Sequence, residues 1–274
     1  MTSMTRNYHT HTFRCHHASG TEREYIEEAL KNGLVLLGFS DHSPYVFPGK
    51  YYSKFRMSHD DISDYYRTLG LLREEYQDRI DIRIGFEMEY YPKQFRETLE
   101  LMAEKEQTLP SGEKAGLQYL ILGQHFVGNE YDSHEYSGMP SLSDRYLGRY
   151  VENVTEGIQT GCFSCIAHPD LVNFIGSKKL YDKHMRELAE CAKAHSIPLE
   201  INLLGLHTNR NYPNSRFWDI VKEVGNEVIL GCDAHTAADV AAPSLLQEGE
   251  AFAARWGFDL MDELRLADPL AYLK

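Results

Sequence analysis

Residues 7–17 read Asn7-Tyr8-His9-Thr10-His11-Thr12-Phe13-Arg14-Cys15-His16-His17, placing four of the chain's thirteen histidines in one short stretch. His9 and His11 form an H-x-H pair. On a β-strand, residues i and i+2 point to the same face, so the two imidazoles would converge on one point. Neutral imidazole is the commonest metal-binding side chain, and such convergence is what an ion needs. By itself the pair is equally compatible with surface histidines, and the rest of the chain separates the two readings.

Downstream, short apolar runs alternate with amphipathic stretches, the pattern of repeated β/α units. Strands are expected at about 7–12, 34–40, 80–87, 119–125, 163–168, 199–203 and 227–232. Thr21 and Glu24 make a capping box that opens a helix running to Gly33. Further helices are expected from near Ser58 and over about 93–106, 143–160, 180–195, 215–224 and 248–256, followed by a packed C-terminal tail. Segment 126–140 carries acidic residues, tyrosines and His134; it is long for a plain connector and suits a lid or specificity loop. No linker, repeat or low-complexity tract interrupts the pattern, so residues 1–274 are expected to form a single domain.

The polar residues fall at the ends of the apolar runs. Asp41-His42, Glu87, His125, His168 and Asp233-Ala234-His235 close five of the later strands, while 199–203 carries Glu200 and Asn202. In a (β/α) barrel, catalytic groups project from the C-terminal strand ends, so these residues would gather at one mouth with His9 and His11. Burying so many ionisable groups together costs on the order of several kcal/mol each unless they are paired or bound to metal. His9, His11, His17, His42, Glu87, His125, His168, Asp233 and His235 are too many ligands for one ion and suit two or three. Glu87 is the best bridge, because a carboxylate can span ions ~3.5–4 Å apart. Mixed imidazole and carboxylate ligation fits Zn, Mn or Fe. His59, His134, His184 and His195 read as surface or helix residues.

Composition narrows the function. Hydrophobic residues make up 42% and charged residues 25%, enough for a sizeable core. No run approaches the ~18–20 apolar residues that span a bilayer, and no basic segment followed by an apolar one opens the chain; a cytoplasmic protein without a membrane partner is expected. The net charge of −13 and the lack of a basic stripe disfavour a nucleic-acid partner gripped through its backbone. Five scattered cysteines read as reduced thiols, and Cys162 and Cys165, despite metal or redox spacing, as strand residues.

The motifs His9-Thr10-His11, His17, Ser40-Asp41-His42, Gly85-Phe86-Glu87, Gly123-Gln124-His125-Phe126, Ala167-His168-Pro169-Asp170 and Gly231-Cys232-Asp233-Ala234-His235 resemble, in order, those of the PHP (polymerase and histidinol phosphatase) family. Within it, His-Thr-His-Thr with Cys15-His16-His17-Ala18, Gln-His-Phe and His-Pro-Asp-Leu is most similar to stand-alone histidinol-phosphatases, as is chain length. The resemblance implies an α/β fold, a distorted (β/α)7 TIM-like barrel, with a trinuclear site. His9, His11, Glu87 and Asp233 would hold one metal, Glu87, His125 and His168 a second, and His17, His42 and His235 a third. His17 is taken because the family pattern places the third histidine six residues after the second; His16 remains the alternative. One departure stands out: Asn202-Leu203-Leu204-Gly205-Leu206-His207 has histidine where these phosphatases usually have arginine, and Arg210 follows three residues on.

The expected activity is hydrolysis of a phosphate monoester by metal-activated hydroxide, with L-histidinol phosphate as the small phosphorylated substrate. Glu87 and Asp233 would serve catalysis through the metals. Lys178, Lys179 and Arg210 would reach the phosphate, Arg210 counting among the catalytic groups there, and His207 or Asp170 would protonate the leaving group. The alternatives are another small phosphorylated metabolite, such as a sugar phosphate or nucleotide, a phosphodiesterase or exonuclease, and a metal-binding domain without catalysis. Oligomeric state is not legible in the sequence.

Overall fold

The computed structural model describes residues 4–49 and 51–274. In chain order the elements are β1 (Arg6–Asn7), α1 (Glu22–Lys31), β2 (Leu36–His42), α2 (Ile62–Tyr76), β3 (Asp81–Met88), α3 (Phe95–Glu104), β4 (Gln107–Thr108) and β5 (Lys114–Ala115). They continue with β6 (Tyr119–Leu122), α4 (Asp144–Gln159), β7 (Cys165–Ile166), α5 (Lys178–Ala194), β8 (Leu199–Asn202), α6 (Leu203–His207), α7 (Ser215–Val224), β9 (Val228–Gly231), α8 (Pro243–Ala254) and β10 (Leu260–Met261). The main sheet runs β1-β2-β3-β6-β7-β8-β9-β10 with every pair parallel, and β4 and β5 form a separate antiparallel ribbon.

β2, β6, β8 and β9 are buried along their whole length, as parallel strands covered on both faces must be. The sheet curls until its two ends meet. At the mouth Thr10 bridges Ala234, with His11 N donating to Ala234 O at 3.0 Å. At the base, β10 lies beside β9, and Asp262, the next residue, accepts from Thr5 N at 2.5 Å and from the Arg6 guanidinium at 2.7 Å. The closed arrangement is the expected distorted TIM-like barrel. Tyr8, Leu36, Tyr119, Ile121, Cys165, Ala167, Ile229 and Leu264 fill its interior, and the larger apolar cluster lies between sheet and helices.

Thr21 and Glu24 make the expected capping box, and α8 begins with a proline in its first turn. Several boundaries differ from expectation; α8, for one, begins at Pro243 rather than near 248. The helix expected from near Ser58 starts at Ile62, after a turn in which Ser58 Oγ donates to Asp61 at 2.6 Å. The expected C-terminal tail contributes β10 to the sheet. The first strand pairs regularly only over Arg6–Asn7, so His9 and His11 stand beyond the regular ladder, at the rim. Segment 126–140 is anchored at its base, where Val127 N donates to Glu135 O and Ser137 N to His125 O, each at 2.7 Å. Among the described residues no helix is long and apolar enough to cross a membrane.

Candidate metal centre

Glu87 lies near the end of β3, opposite His42 in the β2 ladder, with five imidazoles around its carboxylate. Oε2 is 3.0 Å from His42 Nδ1 and 3.5 Å from both His9 Nε2 and His11 Nε2. Oε1 is 2.7 Å from His168 Nε2 and 3.4 Å from His125 Nε2. Asp233 Oδ1, after β9, is 3.0 Å from His11 Nε2 and 3.4 Å from His9 Nε2. Gly123 and Gly231 make room for this cluster: a Cβ at either would overlap a carboxylate oxygen, of Glu87 and Glu200 respectively. His168 and Asp233 adopt left-handed backbone, with φ of 30° and 50°. Non-glycine residues held in that region collect at functional sites.

Each of several rings has its outward nitrogen occupied by oxygen. His9 Nδ1 meets Glu200 at 2.7 Å, His125 Nδ1 meets Glu89 at 3.1 Å, and His17 Nδ1 meets Cys15 O at 2.7 Å. His235 Nδ1 meets Asp233 O at 2.9 Å, whereas the outward Nδ1 of His11, 3.7 Å from Asp41, is buried without a hydrogen-bond partner among the described residues. Such outer partners fix ring orientation and tautomer in metal sites. The inward atoms are a different population. His9 Nε2, His11 Nε2, His42 Nδ1 and both oxygens of Glu87 are buried without a hydrogen-bond partner among the described residues. Buried polar atoms are normally satisfied, so this set fits divalent cations.

The electrostatics divide the cluster. Burial alone would raise the Glu87 and Asp233 carboxyls, yet the surrounding histidines hold both well below the usual range. Burial lowers His9, but Glu200, Asp233 and Glu87 together lift it well above its ordinary value. His17, His42 and His235 are lowered, chiefly by burial and also by His11; His235 falls to about 4. Neutral imidazoles are the ligand form, so these three favour it. His9, His11 and His125 are instead raised, against burial, by the carboxylates beside them, and a cation bound there would compete with a proton.

Among the described residues five groupings place their donor atoms close enough to share an ion: His9-His11-Asp233, His9-Glu87-His168, His11-His42-Glu87, His17-His42-His235 and His11-Cys15-His235; His125 belongs to none of them. His17 thus joins His42 and His235, whereas His16 turns outward and its Nε2 contacts Tyr52 Oη at 3.3 Å. Cys15 also lies near His11 and His235, but burial and Asp41 push its thiol up, away from the thiolate a metal would need.

Above the cluster lies a cavity of about 340 Å³ walled by Phe55, Tyr136, Leu171, Leu204, Arg210 and Tyr212, with His17, His42, His125, Asp233 and His235 at its floor. Arg210 is the cation of this wall; its guanidinium donates to Tyr212 Oη at 2.8 Å. The structure does not bring His207 there. That residue ends α6 with its ring exposed and 3.4 Å from Glu248. Lys178 and Lys179 sit exposed in the first turn of α5 and do not line the cavity. Asp170 is buried, accepting from Asn214 N at 2.5 Å and Trp218 Nε1 at 3.2 Å, an architectural arrangement. Sequence reasoning missed Glu89, Arg56 and Tyr136. Glu89 had a signal, since it shares a strand face with Glu87 two residues earlier.

A family model for the PHP domain matches residues 7–203. The chain belongs to this family. Among PHP-family relatives, a protein of Deinococcus radiodurans called "Probable histidinol-phosphatase" is 27% identical over 241 residues, covering 85% of this chain and 86% of its own. The Bacillus subtilis histidinol-phosphatase is 24% identical over 260 residues, covering 86% and 95%. The crystal structure of Lactococcus lactis histidinol phosphate phosphatase, complexed with zinc, L-histidinol and phosphate, superposes with a TM-score of 0.66 at 18% identity, covering 94% of this chain and 95% of that one. At that identity the likeness speaks for the PHP fold.

Proposed function

We propose that this chain is a metal-dependent phosphatase that hydrolyses L-histidinol phosphate to L-histidinol and phosphate. The observation that carries the reading is the set of buried, unpartnered imidazole and carboxylate atoms converging on Glu87 and Asp233 beneath an arginine-walled cavity. The curated relatives named histidinol-phosphatase, matched over most of their length, supply the substrate.

By the PHP pattern, His9, His11, Glu87 and Asp233 would hold one ion, Glu87, His125 and His168 a second, and His17, His42 and His235 a third. The donor atoms of His9-His11-Asp233, His9-Glu87-His168 and His17-His42-His235 lie close together in support of it. Zinc, as in the Lactococcus structure, suits this donor set. Bound ions there would supply Lewis acidity that brings a water's pKa toward ~7 and offsets phosphate charge. Arg210 faces the same cavity and is positioned to orient the phosphate by charge-assisted hydrogen bonds. It takes the part that the family's usual arginine has, the chain carrying His207 at that position. Phe55, Tyr136 and Tyr212 offer aromatic walls for an imidazole-bearing leaving group.

The test is steady-state phosphate release from a panel of monoesters, with metal content measured on the same preparation. The reading expects L-histidinol phosphate to exceed generic sugar phosphates and nucleotides by about 100-fold or more in kcat/KM, since a site built to hydrogen-bond one substrate rejects analogues strongly. Equal turnover of all esters would refute the substrate while leaving the phosphatase reading intact.

A further inference from the structure

Arg56 lies in the stretch between β2 and α2, 2% exposed, with carboxylates on two sides. Its guanidinium grips Glu89 with both terminal nitrogens, at 2.9 and 3.1 Å, and Nε donates to Glu130 at 2.5 Å. Nη1 also donates to Ser43 O at 2.9 Å, and the Ser43 amide donates to Glu87 O at 2.9 Å. Glu89 in turn holds His125 Nδ1 at 3.1 Å. Glu130 belongs to the 126–140 segment that also carries Tyr136 over the cavity, and Tyr51 Oη donates to it at 3.1 Å. An unbroken chain, Glu130–Arg56–Glu89–His125, therefore runs from this segment to the metal centre.

We propose that Arg56 is a positioning residue that couples docking of segment 126–140 to metal affinity on the His125 side of the centre. The proposal rests on the reading of His125 as a metal ligand. A planar guanidinium can serve both carboxylates at once, which an ammonium cannot do with the same geometry. With Glu130 docked, Arg56 divides its charge between two carboxylates, and Glu89 keeps basicity to spend on the His125 N–H. With Glu130 undocked, Arg56 draws on Glu89 alone, so His125 becomes a weaker and less firmly oriented ligand. Coupling between two sites is reciprocal, so metal binding must also tighten the segment.

The experiment uses the full chain with Zn²⁺ as the probe, for wild type, E130Q, R56K and H125A. Zn²⁺ affinity is measured by chelator competition, and hydrogen exchange of amides 128–136 is followed with and without Zn²⁺. In wild type, Zn²⁺ should slow that exchange. In E130Q, which leaves the buried arginine in place and keeps the test sound should R56K fail to fold, one Zn²⁺ should bind about 10-fold more weakly. The Zn²⁺-dependent slowing should disappear with it. A merely structural Glu130 would give faster exchange with unchanged Zn²⁺ affinity, and that result overturns the proposal, as would wild-type exchange indifferent to Zn²⁺. If H125A bound Zn²⁺ as wild type does, both this proposal and the ligand reading beneath it would fall; loss in H125A with none in E130Q would overturn the coupling alone.

Discussion

Replacing Glu87 with glutamine should remove metal as well as activity. The two oxygens serve different partners: Oε2 faces His9, His11 and His42 at 3.0–3.5 Å, and Oε1 faces His125 and His168 at 3.4 and 2.7 Å. Glutamine keeps the volume but offers one oxygen, turns an amide N–H2 toward the other group and deletes the negative charge. Loss of a partner that only orients a ligand costs ~10–100-fold in metal affinity, or about 1.4–2.7 kcal/mol. Loss of a direct oxygen should exceed the top of that range for at least one ion. Elemental analysis of dialysed protein and chelator-competition titration measure the loss, with circular dichroism reporting that the barrel still folds. Wild-type stoichiometry, with every affinity within about threefold, would refute the bridging role of Glu87.

Arg210→Gln should lower kcat/KM for the phosphate ester by about 100-fold, because a lost charge-assisted contact is worth roughly 1.5–3 kcal/mol. His207→Ala and the double change Lys178→Ala, Lys179→Ala should stay within about twofold, since those side chains lie outside the cavity; the reverse ranking in steady-state kinetics would move the phosphate site. Burial raises the Asp170 carboxyl to about 7, against the pull of Asn214 N and Trp218 Nε1, so the folded state keeps a proton that the unfolded chain releases near pH ~4. Its contribution is complete below pH ~4 and falls by roughly 1.4 kcal/mol per pH unit as pH rises toward 7. Asp170→Asn, whose amide oxygen can accept the same two bonds, should flatten that dependence in urea titrations at pH 5 and 7.5; an unchanged slope contradicts it.

The site was legible wherever a polar residue closed an apolar run. Asp41-His42, Glu87, His125, His168 and Asp233-Ala234-His235 stand out because a buried parallel strand has no other reason to end in ionisable groups. The family pattern favoured His17 and left His16 open; in the structure His16 takes a left-handed turn, φ 68°, and its ring meets Tyr52, while His17 faces His42 and His235. Arg56 and Glu130 were not legible. They meet across 74 residues, and a charged residue in a loop rich in tyrosine, proline and glycine reads as solvated. β10 was missed because two residues carry no periodicity, and its place depends on Asp262 reaching Thr5 and Arg6 some 256 positions away. His207 misled because position in a motif does not fix direction: on the short helix α6 its ring faces Glu248, and the chain's turn toward Tyr212 carries Arg210 to the cavity instead.

The most direct measurement is phosphate release from L-histidinol phosphate by one preparation in three states: as isolated, stripped of metal by chelation, and reloaded with Zn²⁺ or Mn²⁺ with the stoichiometry counted. Hydrolysis that disappears with the metal and returns with two or three ions per chain is the predicted result. Hydrolysis that persists in fully stripped protein, or a fully loaded protein inert on every ester, would contradict the account.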